Sequence, residues 1–144
     1  MTELAFHFNV ALKVDYACRL ARKALRSGAS LVVTAEAPTL TALDSALWSF
    51  SAVDFIAHEY PSVAAAPASL APVVLLERAA DAARHEVLLN LGRMVPEGFE
   101  RFARVIEVVG LDDQERRDAR ARWKHYAERG YRIEQFDLAP QGAH

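Results

Sequence analysis

The chain predicts a three-layer α/β domain with a mostly parallel sheet. Seven short apolar-rich strand candidates alternate with segments of helical spacing, and the order at the amino end is strand, helix, strand, helix. The length of 144 residues suits one domain that buries a core without metals or disulfides, and 52% hydrophobic with 25% charged residues is a globular composition. We expect one domain over residues 1–138 and a disordered tail at 139–144.

Residues 3–10 alternate as a strand with Leu4, Phe6 and Phe8 on one face. Asp15 to Arg26 carries Ala17, Leu20, Ala21, Ala24 and Leu25 at helical spacing and is stopped by Ser27-Gly28. SLVVT reads as a buried strand. Thr39 to Phe50 reads as a helix whose core face holds Leu40, Leu43, Ala46, Leu47 and Phe50. The stretch 51–72 holds three of the six prolines and is the long loop, with a short strand at Phe55 to His58. Strands resume at 73–76 and 86–91 across a polar, Ala-rich connection. A helical turn near Pro96 to Arg101 precedes the strand RVIEVV. A helix from Asp112 to Arg129 and an alternating strand, YRIEQFDL, complete the domain.

Several chemistries lack their residues. The loop after the first strand, NVALKVD, has no glycine, and neither GxGxxG nor GxxxxGK[ST] occurs, so a phosphate cradle of the usual design is not expected. His7, His58, His85, His125 and His144 are scattered without ligand spacing, and there is no HExxH or GxSxG. Asn90 reads as a loop cap. Cys18, the single cysteine, falls where a helix buries it, which fits a structural thiol in a reducing cytoplasm. No stretch is long and apolar enough to span a bilayer, and the amino end lacks the basic start of a signal peptide. No cofactor, metal or catalytic residue is expected.

The helix DDQERRDARARWKHYAER is the most informative segment. Ala119, Trp123, Tyr126 and Ala127 form an apolar stripe beside a cationic ridge of Arg116, Arg120 and Lys124. From residue 116 to 129 six cations face two anions, a balance of +4 in a chain of net charge −2. Acid-before-base spacing offers i,i+4 partners to Arg116, Arg117 and Arg122 from Asp112, Asp113 and Asp118, which is the reading of a solvated face. Arg120 has only Arg116, Arg117, Trp123 and Lys124 at that spacing, and Lys124 only Glu128. A basic ridge beside an aromatic also reads as a surface for an anionic peptide or nucleic-acid strand. Both readings stand on these residues alone.

Taken in order, LAFHFN, YACRLARKALRSG with LVVTAE, LDSALWSFSAVDFIAHEY, the pair APVVLL and EVLLNL, and RVIEVV with ARARWKHYAERGY resemble the chi subunit of bacterial DNA polymerase III over nearly the whole chain. The resemblance implies a Rossmann-like domain without nucleotide chemistry, a non-catalytic bridge in the replisome. One face would bind the acidic, Phe-ending tail of single-stranded DNA-binding protein. Carried over residue by residue, that face is Arg120, Trp123 and Lys124, supported by Arg116 and Val109. Where the family can carry a further basic residue, this chain has Ala127, which implies a weaker site or a contact moved to Arg129 or Arg132. The other interface would hold the psi subunit of the clamp loader, or a helicase related to iron-sulfur repair helicases, on Trp48, Phe55, Ile56 and His58. Without the resemblance, Trp48 and Phe55 read as ordinary core. The rivals are direct single-strand DNA binding with Trp123 stacked on a base, and a degenerate nucleotide-binding or hydrolytic α/β protein.

Overall fold

A computed structural model describes residues 1–49, 58–60 and 71–139. Seven strands, β1 (Glu3–Phe8), β2 (Leu31–Thr34), β3 (His58–Glu59), β4 (Val73–Leu76), β5 (Val87–Asn90), β6 (Arg104–Val108) and β7 (Ile133–Asp137), form one sheet in the order β3-β4-β2-β5-β6-β1-β7. All six pairings are parallel. The helices are α1 (Lys13–Ser27), α2 (Ala37–Ser49) and α3 (Asp113–Glu128).

The layers follow from which faces are apolar. α1 and α2 pack on one side of the sheet through Ala17, Cys18, Ala21, Leu40, Leu43 and Leu47, over Leu31, Val33, Leu75 and Leu89. On the opposite side α3 covers Leu4, Phe6 and Val105 with Ala119 and Tyr126. Strands buried on both faces read as continuous apolar runs, and β2 and β4 have that composition. α1 closes on Gly28 at φ 78°, the left-handed conformation that a helix stop favours. Cys18 is fully buried, and burial pushes its thiol up to about 11, so it is a packing group.

The middle of the chain has the polar connection and the helical turn near Pro96 to Arg101 that the sequence led us to expect, without a full helix. Only 3₁₀ turns, Ala79–Asp81 and Phe99–Arg101, join β4 to β5 and β5 to β6. The layer on the α3 side is therefore completed by the large side chains Phe99 and Phe102 rather than by further helices. α1 and α2 start two residues earlier than expected, and β3 includes His58, the last residue of the expected strand, and extends to Glu59. Residues 55–57 and Phe50 lie outside the described residues, as do residues 140–144 of the expected tail.

Candidate functional site

Crevices open at the carboxyl ends of parallel strands where neighbouring connections leave on opposite sides of the sheet. β1 leads into α1 on one side and its neighbour β6 into α3 on the other, so the sheet parts at residues 8–11 and 109–112. On the α3 side this crevice widens into a cavity of about 380 Å³. Phe6, Phe8, Val109, Ala119 and Trp123 give it apolar walls, and Arg116 and Arg120 stand at its rim with Asn9 and Gln135. Trp123 is half-buried, its ring centroid 5.1 Å from that of Phe6.

The sequence brings α3 here by three devices. Asp112 caps the helix, accepting from the backbone N–H groups of Gln114 at 2.7 Å and Glu115 at 3.1 Å. Glu115 Oε1 accepts from the Gly110 N–H at 3.0 Å and from Lys13 at 2.9 Å, tying the helix to both neighbouring loops. A Cβ at Gly110 would lie 2.5 Å from Glu115 Oε2, so glycine lets the carboxylate seat on this loop without shifting.

The third device is a buried polar cluster. Glu107, inside β6 and fully buried, accepts from Arg122 Nε at 2.8 Å, Asn90 Nδ2 at 2.9 Å and the Tyr126 hydroxyl at 2.6 Å. Burial pushes the Glu107 carboxyl above the usual carboxylate range, while the Arg122 charge and the three donors pull it back. Burial and the Glu107 charge drive the Tyr126 hydroxyl far up, so it stays a donor.

This cluster corrects the expected helix face. Arg122 is 3% exposed and turned inward, so it leaves the cationic surface, while Ala127 is exposed rather than part of the buried stripe. The expected i,i+4 ion pairs give way to other partners, some within α3 and some across the fold. Asp112 serves the cap, Arg116 Nη2 donates to Asn9 Oδ1 at 3.1 Å, and Arg117 donates to Gln114 at 2.9 Å. Asp118 accepts from Arg93 at 3.1 Å and from Gln114. The signal for the cluster lay in RVIEVV, where an acid inside a buried strand demands a buried cation.

Val109, Arg116, Arg120 and Trp123 come together around the cavity. Lys124 does not line it. Its ammonium is 3.9 Å from Glu128, exposed, one turn further along α3. Arg120 has no hydrogen bond or ion pair among the described residues, as its spacing implied. Arg129 and Arg132 are exposed and do not line the cavity. Sequence reasoning missed Asn9 and Gln135. Asn9 stands at φ 63°, a conformation in which Asn is enriched among non-glycine residues.

At the far end of the sheet, Trp48 is 61% exposed at the end of α2, which overturns its reading as core. Its ring lies 4.6 Å from that of His58, whose Nε2 is 3.0 Å from Asp44 Oδ1. Phe55 and Ile56 lie outside the described residues.

On the α1 side of the same crevice, a second cavity of about 590 Å³ is lined by Asp15, Asp112 and Glu115, with Lys13 committed to Glu115 and to the Leu91 carbonyl. Carboxylates there repel a phosphate chain. Among the described residues no group of three or more His, Cys, Asp or Glu gathers to hold a metal ion. Among them, too, no helix is long and apolar enough to cross a membrane.

Fold and site together define a doubly wound α/β scaffold with a basic-rimmed, apolar-walled cavity in place of a phosphate loop. Residues 1–134 match the family of the DNA polymerase III chi subunit, HolC, and the chain belongs to that family. It is 34% identical over 143 residues to the DNA polymerase III subunit chi of Pseudomonas aeruginosa, covering 96% of this chain and 98% of that one. It is also 26% identical over 127 residues to the subunit chi of Haemophilus influenzae, covering 87% and 88%. Membership makes it an accessory chain of the polymerase, not the one that polymerises DNA.

Proposed function

We propose that the chain binds the acidic, Phe-ending tail of single-stranded DNA-binding protein in the cavity beneath α3, and so bridges the clamp-loader side of polymerase III to coated single strands in the cytoplasm. The observation that carries this is Arg120, free of any ion pair among the described residues, at the rim of a cavity walled by Val109 and Trp123. An apolar terminal residue needs such walls, and the carboxylates before and at the end of the tail need cations held nearby. Arg116 and Arg120 supply these at the cavity, and Lys124 extends them along the helix.

The exposed Trp48, whose ring lies tilted against that of His58, favours the second face as the seat of the psi subunit or of the iron-sulfur helicase. Direct DNA binding is the weaker reading. The cavity offers one tryptophan for stacking, and the whole chain is net −2.

Calorimetric titration with an acidic Phe-terminated peptide, a single-stranded oligonucleotide and ATP separates the readings. The peptide is expected to bind, more weakly as salt rises, and the other two are expected not to. Oligonucleotide binding without peptide binding would transfer the site to DNA.

A further inference from the structure

We propose that Asn9 is a positioning residue of the tail site: its amide holds the Arg116 guanidinium at the cavity without neutralising it. The proposal rests on the tail-binding reading. Asn9 bridges two ionic groups on different elements, accepting from Arg116 Nη2 at 3.1 Å and donating from Nδ2 to Asp137 Oδ1 on β7 at 2.7 Å. The chemistry of the partners fixes this orientation, because a guanidinium only donates and a carboxylate only accepts. Asp137 is anchored in turn, accepting from the Ala139 N–H at 2.9 Å.

The choice of residue follows from two demands. At φ 63° the backbone favours glycine, asparagine or aspartate. Glycine has no group to hold Arg116. Aspartate would place a carboxylate against the guanidinium and cancel the charge an acidic ligand needs. Asparagine meets both demands, and it separates Arg116 from Asp137 by a neutral spacer. One of the five N–H donors of Arg116 is used, leaving the others for a carboxylate in the cavity. Asn9 is the one non-glycine residue with positive φ among the described residues, and it lines the proposed site, where such conformations concentrate.

The test is calorimetry of the full chain with an acidic Phe-terminated peptide, using Asn9→Gly and Asn9→Asp with and without Arg116→Ala. Asn9→Gly keeps the turn and is expected to lower affinity severalfold at unchanged melting temperature. In the Arg116→Ala background it should then have no effect, because there is nothing left to position. Asn9→Asp is expected to lower affinity at least about tenfold, the scale of one charged hydrogen bond. Wild-type affinity in Asn9→Gly, or an equal loss with and without Arg116, would overturn the proposal while leaving the tail site standing. A wild-type chain that does not bind the peptide would overturn both. If Asn9→Asp fails to fold, the Asn9→Gly cycle decides alone.

Discussion

The two faces of α3 carry the same residue types to opposite ends. Inward, Arg122 meets the buried Glu107 at 2.8 Å and is spent on the fold. Outward, Arg120 stands two positions earlier at a cavity rim with no ion pair among the described residues. An arginine is free to recognise a ligand only where the fold has not already claimed its charge. The comparison also gives a reason for cations on a helix of an acidic chain: some hold it to the sheet, and on the proposed reading the rest serve a partner.

Breaking the inner face is expected to cost most. Arg122→Ala leaves the Glu107 carboxyl without its counter-charge in the core, which should cost about 3–5 kcal/mol of stability by chemical denaturation. A loss under about 1 kcal/mol would mean that the cluster does not hold α3. The two tryptophans give the next contrast. Trp48→Ala should weaken a psi or helicase partner by about 2 kcal/mol or more while leaving the melting temperature and the peptide affinity unchanged. Trp123→Ala should damage both, because its ring packs on Phe6 within the cavity wall. A Trp48→Ala variant that unfolds or retains every partner removes that face from the interface.

A pH-dependent effect comes from a buried group without the counter-charge that Glu107 has. His7 Nδ1 lies 2.5 Å from the Tyr16 hydroxyl, its Nε2 has no hydrogen-bond partner, and burial with Arg104 and Lys23 nearby lowers its pKa from 6.5 to about 4. In that window the unfolded chain binds the proton that the folded chain refuses. Stability contributed by neutral His7 is therefore present above pH 6.5 and falls, by up to about 1.4 kcal/mol per pH unit, as pH drops toward 4. His7→Phe should flatten that part of the stability profile. An unchanged slope would place the titration elsewhere.

Most of the fold was legible because buried parallel strands and amphipathic helices have periods that residues alone reveal, as in VVLL and the Ala17 and Ala21 stripe of α1. The turn at Phe99–Arg101 was also expected, as a helical turn near Pro96 to Arg101, whereas the single 3₁₀ turn at Ala79–Asp81 was not, since three residues carry no periodic signature. Four of the five residues proposed for the tail lie around one cavity, because a single helix and the residue that follows β6 supply them. The split between Arg120 and Arg122 depends on Glu107, fifteen residues from Arg122 on another element. Asn9 depends on Asp137, 128 residues away. Local spacing carries neither.

The central claim, that the outer cations of α3 are reserved for an acidic tail, is tested most directly by calorimetry on the folded Arg120→Ala, Lys124→Ala double variant. Affinity for the acidic Phe-terminated peptide should fall by roughly 1–3 kcal/mol, with a shallower salt dependence and an unchanged melting temperature. Full affinity in that variant would contradict the assignment.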